Sequence, residues 1–190
     1  HIPDGEPHVF EDRLYVFGSH DLENGNEFCE LDYVAWSAPT DDLSDWRYEG
    51  VIYRKDQDPY NTDFLPMYAP DVVRGRDGRY YLYYCVKFQD AIHVAVSDDP
   101  AGKYEFYGRV HYKDGRVMSD NQTYDPSVIC SGEGNFLYFG FAPCMINIPR
   151  YKDQDLQGGS VLQLEDDMLT VKEGPVVILP SLKYGKGTSF

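Results

Sequence analysis

One pattern occurs three times along this chain, and it limits the folds open to it. The first copy is Glu6-Pro7-His8-Val9-Phe10, Asp12-Arg13, then Leu14-Tyr15-Val16-Phe17-Gly18. The second is Ala69-Pro70-Asp71-Val72-Val73, Asp77-Gly78-Arg79, then Tyr80 to Tyr84. The third is Asp125-Pro126-Ser127-Val128-Ile129, Glu133-Gly134-Asn135, then Phe136-Leu137-Tyr138-Phe139-Gly140. Pro7, Pro70 and Pro126 lie 63 and 56 residues apart. Each copy reads as a short strand, a tight turn and a longer aromatic strand, because Asp-Gly or Glu-Gly before an apolar run is a hairpin signal. The proline is expected to open the first strand, where a missing N–H costs little.

A second strand pair follows at the same period. Val34-Ala35-Trp36-Ser37 precedes Trp46 and Gly50, and Val94-Ala95-Val96-Ser97 precedes Tyr104 and Gly108. The third copy is looser, with Ser160–Leu164 and then Thr170–Ile178. Sustained helical periodicity with caps is lacking. Four short strands per repeat is the signature of propeller blades, so the expectation is an all-β β-propeller with blades over 5–55, 66–113 and 124–180. A β-sandwich with accidental similarity fits less well, because both halves of the repeat recur in order. The segments 21–32 and 143–159 read as long insertions within blades, and such loops often build binding sites. Three blades fall short of the four or more that close a ring. The expectation is therefore one truncated domain over residues 1–190, completed by blades from a longer chain or a second chain.

Composition narrows the partners. Asp and Glu number 32 against 17 Lys and Arg, for a formal net charge of −15. Such a surface repels a phosphate backbone and anionic membranes, whereas a neutral sugar meets no such penalty. No apolar run reaches the roughly 20 residues of a membrane span. The cysteines at 29, 85, 130 and 144 match no zinc or CxxC spacing, and no metal-ligand cluster stands out. Cys85 and Cys130 read as buried free thiols, which leans towards a reducing, cytoplasmic compartment rather than a secreted or periplasmic one.

In a propeller the first strand of each blade lines the central channel, and residues at its start reach one mouth. Asp4, Asp71 and Asp125 all stand at or beside that strand, on three blades. Converging carboxylates suit glycoside hydrolysis, in which one ionised group activates water and a protonated one serves the leaving oxygen. The competing explanation is that each aspartate merely caps a turn.

The motifs resemble glycoside hydrolase family 43, the five-bladed arabinofuranosidases, xylosidases and arabinanases. Pro3-Asp4-Gly5-Glu6-Pro7-His8-Val9-Phe10 through Gly18-Ser19-His20-Asp21 looks like the family's first-blade signature. Tyr68-Ala69-Pro70-Asp71-Val72 resembles its W-A-P-D-V motif, and Asp125-Pro126-Ser127-Val128 its D-P-S-V motif. The resemblance implies inverting hydrolysis of arabinofuranosyl or xylosyl linkages in plant-type carbohydrates. It places Asp125 as the residue that raises the acid's pKa and orients it. Counting back from His20-Asp21 puts Asp4 at the general base, while counting from the Pro-His-Val strand offers Glu6. Glu173-Gly174-Pro175 resembles an acid motif, but it falls on an outer strand, so the acid is expected outside this chain. His20, Tyr68, Asp71 and Phe64 are candidates for substrate binding, with Met67 as a further cleft wall. His93 reads as structural. No cofactor is expected, although a structural calcium ion often sits in the complete propeller of this family. A carbohydrate-binding or scaffold propeller without hydrolysis is the alternative. An invertase-type enzyme is disfavoured because its N-D-P-N-G motif is lacking.

Overall fold

A computed structural model describes residues 2–119, 123–140 and 159–179. They form three four-stranded antiparallel sheets. Blade 1 holds β1 (Glu6–Phe10), β2 (Arg13–Gly18), β3 (Tyr33–Pro39) and β4 (Arg47–Tyr53). Blade 2 holds β5 (Met67–Arg74), β6 (Tyr80–Val86), β7 (Ile92–Ser97) and β8 (Glu105–Arg109). Blade 3 holds β9 (Ser127–Ser131), β10 (Gly134–Phe139), β11 (Gly159–Leu164) and β12 (Val171–Leu179). In each blade the strands lie side by side in chain order. A single 3-10 turn, Lys55–Gln57, is the only helical element among the described residues. No helix among them is long and apolar enough to cross a membrane. The expected insertion at 143–159 lies outside the described residues except for Gly159. Cys144 and the tail 182–190 also lie outside them.

The hairpins form where the turn residues predict. Gly78 takes φ +88 between β5 and β6, a conformation that costs glycine nothing, and its N–H donates to the Gly75 carbonyl at 3.0 Å. Two of the prolines stand at or beside a strand opening, as expected, and Pro70 does not. Pro7 sits inside β1, opposite Val16, and Pro126 lies before β9. Pro70 lies in mid-β5, where Tyr68 pairs with Cys85 but Asp71 with Tyr83. That register shift is a bulge, and β5 is an edge strand, so the lost N–H breaks no ladder.

Strand alternation builds the two interfaces between blades. Tyr80, Leu82, Tyr84 and Val86 of β6 pack with Tyr15, Phe17, Tyr33 and Tyr53 of blade 1. Tyr81 and Tyr83 point the other way, towards Val128, Leu137, Phe139 and Leu162 of blade 3. All seven residues of β6 are buried because both of its faces are covered. The tyrosine-rich composition serves this core, since each ring fills space while its hydroxyl finds a partner. The Tyr53 and Tyr84 hydroxyls are 3.0 Å apart, Tyr84 donates to Asp58 at 2.8 Å, and Tyr83 donates to the Met168 carbonyl at 2.6 Å. His93 is fully buried with Nδ1 2.8 Å from Asp58. Burial alone would raise the Asp58 carboxyl, but His93, the Tyr60 amide and the Tyr84 hydroxyl together bring it below the ordinary value. His93 is thus structural, as expected.

Candidate active site

The starts of blades 1 and 3 deliver two carboxylates to one place. Asp4 precedes β1 and Asp125 precedes β9, and both line a cavity of about 530 Å³ together with Cys29, Tyr68, Phe88 and Tyr124. Nine non-glycine residues among those described have positive φ, and four of them, Asp4, Cys29, Phe88 and Asp125, line this cavity. Backbone strain of this kind concentrates at functional sites, where the surrounding fold enforces it. Asp4 stands at φ 53 and Asp125 at φ 51.

Close packing holds Asp4 in position. A Cβ on Gly18 would stand 1.9 Å from Ile2 Cγ2 and 3.2 Å from the Pro3 carbonyl, so only glycine lets the segment ahead of Asp4 lie across the end of β2. The fully buried Ser19 follows. Its hydroxyl is 3.1 Å from the Pro3 carbonyl and 3.3 Å from Asp4 Oδ2, and its one proton serves either acceptor. Ser19 also meets Cys29, whose thiol burial pushes up to about 11 and so keeps protonated at neutral pH. Asp125 opens onto the cavity yet has protein mass on its other sides. That burial, and then the charge of Asp4, raise its carboxyl above the ordinary 3.8.

The other expected residues divide. Tyr68 lines the cavity, and its carbonyl accepts the Tyr33 hydroxyl at 3.0 Å. Glu6 does not line it, though burial and the charges of Asp71 and Asp4 raise its carboxyl against the lowering effect of His8. Asp71 departs from the expected sugar contact. It is 1% exposed, with one oxygen 2.6 Å from His8 Nε2 and the other accepting the Val128 amide at 2.6 Å, so it ties blade 2 to blades 1 and 3. Met67 is a correction. It is wholly buried between blades 1 and 2, because strand alternation turns it to the core and leaves Tyr68 on the cavity side. Phe64 is 60% exposed but outside the cavity wall, as is half-buried His20, whose carbonyl accepts the Leu31 amide at 2.9 Å. Burial lowers the His20 imidazole. Glu173 lies exposed on β12, opposite Gln163, and is not brought to the two aspartates. Cys85 is buried as expected, whereas Cys130 is only half-buried.

Several cavity residues escaped the sequence reading. Tyr124 had a signal, since Tyr124-Asp125-Pro126 repeats Tyr68-Ala69-Pro70, with Ala69 also at positive φ. Phe28 and Cys29 lie in the 21–32 segment read as a site-building insertion, though neither was singled out, and Lys87 and Phe88 had no signal, because they come from an irregular segment. Among the described residues no group of three or more His, Cys, Asp or Glu side chains is placed to hold a metal ion. Two carboxylates, one with a raised pKa, facing a cavity with tyrosine and phenylalanine walls can hold a neutral polyol and activate water beside it.

Known proteins resemble this chain. The family model for glycosyl hydrolases family 43 matches residues 11–188. A xylosidase/arabinosidase of Thermoclostridium stercorarium is 51% identical over 195 residues, covering 100% of this chain and 40% of that protein. The solved RS223 β-xylosidase superposes with a TM-score of 0.70 at 24% identity, over 93% of this chain and 59% of that one. A Xanthomonas citri GH43_1 enzyme, solved in complex with xylose, gives 0.69 at 25% identity, over 91% and 54% respectively.

Proposed function

Because this chain belongs to glycosyl hydrolase family 43 and forms part of that family's propeller, we propose that it supplies the base side of an inverting glycosidase acting on xylosyl or arabinofuranosyl linkages. The observation that carries the reading is the meeting of Asp4 and Asp125, from different blades, in one cavity with Tyr68. The complete protein is the catalyst in this reading, since the chain spans 40% of its T. stercorarium relative.

Each residue then has a task. Ser19 holds one oxygen of Asp4, which leaves the other to take a proton from water as it attacks the anomeric carbon. Tyr68 and Tyr124 offer ring faces to the sugar. Asp125 supplies a second, raised carboxyl whose charge state bears on the acid that protonates the leaving oxygen. That acid is a glutamate outside the residues brought together here, since Glu173 is not near the cavity. Attack from one face while the leaving group departs from the other inverts the anomeric centre.

Asp4→Asn in the complete enzyme should lower kcat by roughly 10²–10⁴-fold, even on pentosyl fluorides that need no protonation to leave. Asp125→Asn should lose activity mainly on poor leaving groups. Proton NMR of the first-formed sugar should show the inverted anomer. Full activity in both variants, or a retained anomer, would overturn the assignment. Binding of pentose oligomers without cleavage would favour a non-catalytic propeller instead.

A further inference from the structure

The chamber with Asp4 and Asp125 rests on a floor that joins all three blades. Cys85 lies one residue from the end of β6 and is wholly buried. Strand alternation sets it on the same face as Tyr81 and Tyr83, the face turned to blade 3. It therefore meets the segment that enters blade 3. The Asp125 amide donates to its sulfur. Its thiol donates to the Tyr68 carbonyl at 3.7 Å, a length that the larger radius of sulfur allows, and the Tyr33 hydroxyl donates to that same carbonyl at 3.0 Å. Burial raises the thiol well above its ordinary value, so it keeps its proton and remains a donor. Tyr33 of blade 1, Tyr68 and Cys85 of blade 2 and Asp125 of blade 3 are thus linked in one chain.

Asp125 needs such a hold. Its φ of 51 is left-handed, and Pro126 after it favours an extended backbone at this position. A conformation opposed on both counts persists only where its surroundings enforce it. Blade 2 repeats the geometry at Tyr68-Ala69-Pro70, with Ala69 at φ 41. There the strained residue carries a methyl group, whereas on blade 3 it carries a carboxyl and lines the chamber. The peptide is planar, so a bond to the Asp125 amide fixes the plane from which its Cα and side chain depart. Without that bond the backbone would relax towards the extended region and swing the carboxyl from its place. Cys85 does not line the chamber, so any part it has in the reaction passes through Asp125.

We propose that Cys85 is a positioning residue for Asp125, its buried thiol holding the Asp125 amide and so fixing where the carboxyl enters the chamber. The inference rests on the hydrolase reading above and adds to it a residue behind the chamber wall.

The test separates positioning from packing. In the complete enzyme, Cys85→Ala and Cys85→Ser open nearly the same space, but only serine keeps a donor and an acceptor. Packing alone ranks alanine at or above serine, because a hydroxyl in an apolar setting is costly. Positioning ranks serine above alanine. The readout is the dependence on the leaving group assigned to Asp125. Cys85→Ala should lower kcat on phenyl pentosides roughly tenfold, change it less than about twofold on pentosyl fluorides, and leave KM nearly unchanged on both. Cys85→Ser should recover most of the loss. Cys85→Val fills the space on a strand without a polar atom, so it should match the alanine variant and serves in its place if that variant does not fold. Equal losses on both substrate classes, no loss on either, or serine no better than alanine would overturn the role of Cys85 and leave the hydrolase reading in place. An unaltered enzyme that cleaves neither class would remove both.

Discussion

Asp125 illustrates how a carboxyl at the proposed site works against the fold. Its carboxyl is raised in the folded state by burial and by Asp4, so the folded protein binds its proton more tightly than the unfolded chain does. The sign follows from linkage. Below the unfolded value near 3.8 the group is protonated in both states and costs nothing. As pH rises through the raised folded value, stability is lost, and the loss persists at neutral pH. Asp125→Asn should therefore raise the melting temperature at pH 7, and the gain should shrink as the pH falls towards 3.8. Melting curves from pH 3 to 8 test this, and a gain that does not vary with pH would contradict it. Trading stability for a poised carboxyl is common at active sites.

Ser19 is the complementary case, a fully buried hydroxyl behind Asp4 that does not line the cavity. Hydrogen bonds to charged groups contribute roughly 1.5–3 kcal/mol, and this one is long and shared with the Pro3 carbonyl, so the low end applies. Ser19→Ala should lower kcat about tenfold with KM nearly unchanged, because Asp4 loses its orientation and the sugar keeps its walls. A rise in KM with kcat intact would instead place the serine in binding.

At the scale of elements, the inner strands both build the channel and join the blades. Asp71 on β5 accepts bonds from blade 1 and from blade 3, and it is buried. Asp71→Ala would leave His8 and the Val128 amide without their partner, at a cost of about 2–3 kcal/mol. In urea the unfolding midpoint should fall with the slope unchanged, and an unshifted midpoint would reduce the bridge to an ornament.

This role was hidden in the sequence for a physical reason. Strand existence and order were legible, because period-two alternation and the Asp-Gly turns are local signals. Face assignment along β5 was not, because the bulge at Ala69-Pro70 resets the alternation. That left Asp71 open to a sugar-binding reading, while Met67 was read as loop because β5 begins earlier than the repeat suggested. The cavity lining was legible where it rides on the repeat, at Asp4, Tyr68 and Asp125. It was legible only as a segment at Phe28, within the 21–32 insertion, and illegible at Lys87 and Phe88, where irregular backbone builds it. The choice between Asp4 and Glu6 as cavity residue also needed the fold. The two stand two residues apart, and only Asp4, at φ 53 with Gly18 and Ser19 behind it, enters the cavity.

At the scale of the molecule, two faces of the arc are uncovered among the described residues, and their chemistry says what belongs against them. Blade 1 turns Tyr15 and Phe17 towards blade 2, so alternation sends Leu14 and Val16 to the opposite face, where they are half-buried. On blade 3, Val128 and Leu137 face blade 2, while Phe136, Tyr138 and Val161 lie half-buried on the other side, and Ile129 and Val176 are 51% and 59% exposed. A face meant for water would alternate to charged residues at these positions. Both ends of the arc instead carry the apolar pattern of a blade that expects a neighbour, as in the family's five-bladed ring. The same neighbours would close the open side of the cavity. The protein's substantial negative charge opposes non-specific association, so any clumping of the arc must come from those faces. Residues 1–190 made alone should therefore bind an apolar dye strongly, self-associate in light scattering and release no sugar from pentosides. The complete protein should do the reverse on all three counts. A monomeric, dye-silent and active 190-residue chain would show that three blades suffice and would move the acid back inside them, to a residue other than those assigned here.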